Sequence, residues 1–140
     1  MKNMAKYIAK NCIPIFNRLI MKKQRLQSTL EQLKRKIAEE LERLGVKQEK
    51  ALKLLDADSI TFEKKKVNDK EYWYLRFWDE SNRRRALYAG TYERAQKIQE
   101  IWKKFAEERD KILLEILAIE ENMREFEFFA DFLRSLERRK

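Results

Sequence analysis

Asp56 and Asp58 followed by Lys64 and Lys66 are the residues whose types come nearest to bond-breaking chemistry in this chain. Paired carboxylates that hold a metal beside a lysine are the parts used in metal-assisted phosphodiester cleavage. A polar helix end followed by a solvated strand face accounts for the same residues more simply. Glu120, Glu121, Glu125 and Glu127 raise a similar metal question, but acidic residues crowd the last fifty positions and read as solvated helix charges. The chain has no histidine, which removes the commonest general base and nitrogen ligand. Cys12 is alone, so neither an intrachain disulfide nor a thiolate zinc cluster can form, and a small apolar helix residue in a reducing compartment is expected. Gly45 and Gly90 are the only glycines, which leaves no phosphate-cradling loop. The expectation is a binding protein with no catalytic residue, no metal and no cofactor.

Binding chemistry is better represented. Lys64, Lys65, Lys66, Arg76, Arg83, Arg84 and Arg85 are interleaved with Tyr72, Trp73, Tyr74, Phe77, Trp78 and Tyr88. Basic side chains neutralise phosphates, arginine reads guanine in the major groove, and exposed rings pack on sugars or bases. The formal charge of +9 favours a polyanionic partner. Its largest share lies in residues 1–36, with ten basic residues against one acidic, and a second excess lies in 59–90. Lys22, Lys23 and Arg25 are therefore candidates to follow a nucleic-acid backbone beside the central cluster of Lys64, Lys65, Lys66, Tyr74, Arg76, Trp78, Arg83, Arg84 and Arg85.

These groups must be positioned by few elements. Charged residues make up 41% of the chain, and the scarcity of Gly and Pro suits long solvated helices. Residues 1–15 read as a basic amphipathic segment. Tyr7, Ile8, Ile13, Ile15 and Phe16, with Lys6 and Lys10 at the rim, suit a membrane surface or a packed terminus, and Pro14 interrupts one helix or begins the next. Residues 16–58 read as helical, with Leu26, Leu30, Leu33, Ile37, Leu41 and Leu44 on one stripe, Gly45 as terminator and a shorter helix ending near Asp56.

Residues 59–90 switch to period two. The pattern predicts strands at 60–67, 71–78 and 83–89, with turns at Asn68-Asp69-Lys70 and Asp79-Glu80-Ser81-Asn82. In the second strand Trp73, Leu75 and Phe77 share one face, while Tyr72, Tyr74, Arg76 and Trp78 share the other, which Arg83 and Arg85 are expected to extend. Thr91 is the expected N-cap of a long helix over 91–140. Ile98, Phe105, Ile112, Ile119, Phe126 and Leu133 recur every seven residues along it, with Trp102, Ile116, Met123 and Ala130 beside them and Arg109 interrupting. The expected fold is α+β, predominantly α: long coiled-coil or antiparallel helices with a small three-stranded antiparallel sheet between them. Leu26, Leu30, Leu33, Ile37 and the heptad residues are the expected helix-packing or dimer seam. A second apolar row at Leu113, Leu117, Phe129, Phe132 and Leu136 calls for a third helix or a second chain, hence a homodimer.

The run Tyr72-Trp73-Tyr74-Leu75-Arg76-Phe77-Trp78-Asp79, then Arg83-Arg84-Arg85, then Ala89-Gly90-Thr91-Tyr92-Glu93-Arg94-Ala95 resembles the sheet and helix of tyrosine-recombinase arm-binding and plant AP2-type DNA-binding domains. The likeness covers about residues 60–100. It implies a sheet inserted into the major groove, with Arg76, Trp78, Arg83 and Arg85 at the matching exposed positions, and no strand cleavage. The order of long helix, hairpins and long helix also resembles prefoldin subunits, which implies an oligomeric scaffold or chaperone instead. The leading expectation is a cytoplasmic homodimeric accessory or regulatory protein that binds nucleic acid, duplex DNA first, with no transmembrane insertion. Abundant Lys, Glu, Arg and Ile suit a thermophile, and a virus or plasmid accessory protein fits the size.

Overall fold

The computed structural model describes residues 13–138. Tyr7, Ile8, Lys6, Lys10 and Cys12, on which the membrane-surface and terminal readings rest, lie outside the described residues. The fold is a mostly helical α+β arrangement. Helix α1 spans Ile13–Arg43 and α2 Gln48–Leu55; strands β1 (Ile60–Val67), β2 (Lys70–Trp78) and β3 (Arg84–Gly90) follow; α3 spans Tyr92–Arg138. Pro14 falls in the first turn of α1, where its missing N–H costs nothing. No described helix is long and apolar enough to cross a membrane.

Local signals set the boundaries. Gly45, at φ 87°, ends α1 with Gly45 N–H bonded to the Glu42 carbonyl at 2.8 Å and Val46 N–H to the Leu41 carbonyl at 3.0 Å, the Schellman arrangement. Thr91 Oγ1 accepts from Arg94 N–H at 3.2 Å and caps α3, as its position predicts. Asn68 and Asp69, both at positive φ, form the two-residue turn between β1 and β2, so Lys70 already belongs to a strand.

The contacts divide the chain into two compact units, residues 31–110 and a second made of residues 13–30 with 111–138. In the first, the antiparallel sheet runs in the order β1-β2-β3. Leu75, Phe77, Leu87 and Ala89 are buried on one face of it, along with Leu41, Val46, Leu54 and Leu55 of the helical segment and Ala95, Ile98 and Phe105 of α3. Phe62, Trp73 and Tyr92 form a ring cluster at its margin, with Trp73 and Tyr92 centroids 4.8 Å apart. In the second unit the α1 and α3 segments run antiparallel: Lys23 pairs with Glu120 at 3.2 Å, and Ile13 and Phe16 line the same cleft as Phe126, Ala130 and Arg134.

The heptad seam is thus covered in part within one chain. Ile98, Phe105, Ile119 and Leu133 are buried and Ile112 and Phe126 half-buried, as are Leu26, Leu30, Leu33 and Ile37 on α1. Ile98, Phe105, Ile119 and Leu133 therefore pack inside the chain. A sevenfold repeat specifies one apolar stripe but not that a single helix must cover all of it. Arg109 pairs through Nε with its neighbour Asp110 at 3.1 Å and does not reach out to solvent. It is buried, and Nη1 donates to the Leu55 and Ala57 carbonyls at 2.9 and 2.8 Å, closing the C-terminal end of α2.

Candidate nucleic-acid interface

Strand β2 builds the candidate site because it is central and its residues alternate cleanly. Trp73, Leu75 and Phe77 face the core, as the period-two pattern predicts, and Tyr72, Tyr74, Arg76 and Trp78 occupy the opposite face. Register brings their neighbours. Tyr74 lies between Glu63 and Tyr88, Arg76 between Thr61 and Ala86, and Trp78 opposite Arg84, with Lys65 opposite Tyr72. Lys70 shares this face by parity with Tyr72. Trp78 is 55% exposed and Tyr88 47%. The face is therefore open, with rings of Tyr72, Tyr74 and Tyr88 clustered on it, the last two 5.3 Å apart. Lys65 Nζ sits 5.0 Å from the Tyr74 ring.

Strand β3 is where the expected face is corrected. A four-residue turn at 79–82 would put Arg83 and Arg85 beside Trp78. Instead Asp79 and Arg83 pair, Asp79 N–H donating to the Arg83 carbonyl at 2.9 Å, and the loop is the three residues Glu80-Ser81-Asn82 with Asn82 at φ 60°. An odd loop in place of an even one turns every side chain of the following strand over. Arg84, Ala86 and Tyr88 thus extend the open face, whereas Arg85 lies on the core side and donates from Nε to Asp79 Oδ2 at 2.7 Å. Arg83 belongs to the turn, its N–H donating to Asp79 Oδ1 at 2.9 Å.

The remaining candidates are dispersed. Lys64 and Lys66 project from the hairpin on the side away from Lys65, and Lys64 pairs with Glu71 at 3.3 Å. Lys22, Lys23 and Arg25 belong to the other compact unit, and Lys23 is committed to Glu120. Arg76 is partnered through Nε by Glu63, a carboxylate on the open face. Two expected phosphate contacts, Arg76 and Arg85, are thereby engaged internally. Among the described residues Lys65, Lys70 and Arg84 have no carboxylate partner on the open face, and a hollow of about 230 Å³ there is lined by Ser59, Thr61, Arg76, Phe77, Trp78 and Arg84. The sequence pattern did not place Lys70 and Glu63 on this face; parity with Tyr72, once Lys70 is taken out of the turn, finds the first, and the β1–β2 register that sets Glu63 opposite Tyr74 finds the second.

Beyond Trp78 the charge reverses. Asp56, Asp58, Asp79 and Glu80 line a basin of about 400 Å³ that Trp78 also borders. Lys34 Nζ bonds both Asp56 oxygens at 2.7 and 2.6 Å, so Asp56 is held as a helix-end ion pair, and neither Lys64 nor Lys66 lines the basin. No group of three or more His, Cys, Asp or Glu among the described residues is disposed to hold a metal ion. Hydrogen bonds from the Arg85 side chain and Arg83 backbone hold Asp79 below its ordinary pKa. Asp56 pushes Glu80 above its own, first by a shared hydrogen bond and then by repulsion. A polyanion on the open face is accordingly favoured toward Lys65, Lys70 and Arg84 and disfavoured past Trp78.

Neither the sequence nor the fold matches a known protein family, a curated protein or a solved structure.

Proposed function

We propose that this protein binds nucleic acid, duplex DNA in the first place, through the open face of its sheet, and does so as a homodimer with an accessory or regulatory role. The observation that carries the reading is that Tyr72, Tyr74, Tyr88 and Trp78 share an open face with Lys65, Lys70 and Arg84, while the core has its own rings on the other side. Exposed rings cost free energy in water and are seldom clustered without a partner. Beside cations they suit sugar and base contact together with phosphate neutralisation. A narrow antiparallel ribbon fits the major groove, in keeping with the likeness of residues 60–100 to groove-binding sheets. No catalytic step is assigned.

Affinity for duplex DNA, single strands and RNA measured across salt concentrations tests this. Duplex binding should fall with salt, and replacing Lys65 and Arg84 with alanine should lower the slope of log affinity against log salt by about 0.9 for each phosphate that is no longer neutralised. Trp78→Ala should weaken binding with the slope unchanged. A protein that binds no nucleic acid at low salt would remove the proposal. A second reading, an oligomeric scaffold of prefoldin-like order, is favoured by the exposed Leu114, Leu117, Phe128 and Phe132 on α3; a stable higher oligomer without nucleic-acid affinity would select it.

A further inference from the structure

The outer face of α3 between Leu113 and Phe132 has a pattern of its own. Leu113, Leu114, Leu117, Phe128, Phe129 and Phe132 are all exposed, with Phe128 at 75% and Leu117 at 56%. At roughly 100° per residue, Leu113, Leu117, Glu121, Arg124, Phe128 and Phe132 fall on one stripe, opposite the buried positions Ile119, Phe126 and Leu133. The stripe is ordered. Leucines occupy its N-terminal end and phenylalanines its C-terminal end; Glu121 and Arg124, both exposed, interrupt it at the middle, and Asp131, paired with Arg134, borders the phenylalanines.

Such a stripe complements itself when reversed. We infer that two copies of this chain pair antiparallel along it, about a twofold axis between Asn122 and Met123. Leu117 then packs on the partner's Phe128 and Leu113 on the partner's Phe132. Glu121 meets the partner's Arg124, and the symmetry repeats each contact. A parallel pairing would set Glu121 against the partner's Glu121 and Arg124 against the partner's Arg124, so charge selects the antiparallel arrangement. Length agrees, because the stripe runs roughly 30 Å, enough for the Leu–Phe contacts on either side of the two ion pairs. The inference deepens the homodimer part of the proposed function and names its surface, orientation and register.

Charge exchange tests it on the full-length protein, with sedimentation equilibrium giving mass and circular dichroism confirming that helicity is retained. Both positions are exposed, so the folded chain tolerates the changes. The wild type should be dimeric. Glu121→Arg and Arg124→Glu should each weaken dimerisation about tenfold or more by opposing like charges, and the double exchange should recover the dimer to within about threefold. Only the antiparallel register predicts recovery. Single variants as dimeric as the wild type, or a double variant without recovery, would overturn this pairing while leaving a homodimer through another surface. A wild type that stays monomeric at high concentration would overturn both, whatever its affinity for DNA.

Discussion

Arg94, and Arg109 through Nη1, direct donors at main-chain carbonyls. Arg94 reaches Leu44 through Nε and Nη2, at 3.0 and 2.8 Å, and Tyr88 and Ala89 through Nη1 at 3.1 Å each. Arg109 satisfies Leu55 and Ala57 in the interior. Arg109→Met keeps much of the aliphatic packing but leaves two buried carbonyls bare, and should cost about 1–3 kcal/mol in urea unfolding. Asp79 and Glu80 respond to pH with opposite sign. Asp79 is depressed in the folded chain, so its contribution is present above the unfolded value and lost as the pH falls through the folded one. Asp79→Asn should therefore lower the melting temperature at neutral pH and do so progressively less in acid. Glu80 is raised, so its ionised form opposes folding once the pH exceeds the folded value. Glu80→Gln should raise the melting temperature at neutral pH, and the gain should vanish as acid protonates Glu80 in the parent.

At the scale of elements, turn length shapes the candidate interface because it governs which side chains share a face. Asn68 and Asp69 supply the left-handed pair a two-residue hairpin needs, and Asp69 at φ 62° bears a cost that glycine does not. Asp69→Gly should stabilise the protein by up to about 1 kcal/mol in thermal unfolding without altering nucleic-acid affinity. Strand existence and the faces of β2 are legible in the alternation of YWYLRFW. The face of β3 is not, because three consecutive arginines carry no alternation to betray their register. The turn hydrogen bonds of Asp79 decide it, and they exchange Arg83 and Arg85 for Arg84.

For the whole molecule, dimerisation and binding should be coupled. Joining two sheets in one particle raises the effective concentration of the second, so Glu121→Arg should weaken binding to a long duplex tenfold or more, yet leave affinity for a duplex too short to engage two sheets unchanged. Comparing the two duplexes in a gel or fluorescence titration checks this. What residue order alone determined was the succession of helices and strands, the cap at Thr91, the stop at Gly45 and the apolar stripes. These are local, since hydrophobic period and backbone preference act over a few residues. Tertiary structure alone decided that four of the six heptad positions are buried within one chain, that Arg109 closes a helix end, that Glu63 holds Arg76, and that the β2 face bearing Tyr72, Tyr74, Arg76 and Trp78 stays open. Each depends on partners distant in sequence, and residue type prescribes a need for a partner without naming which one.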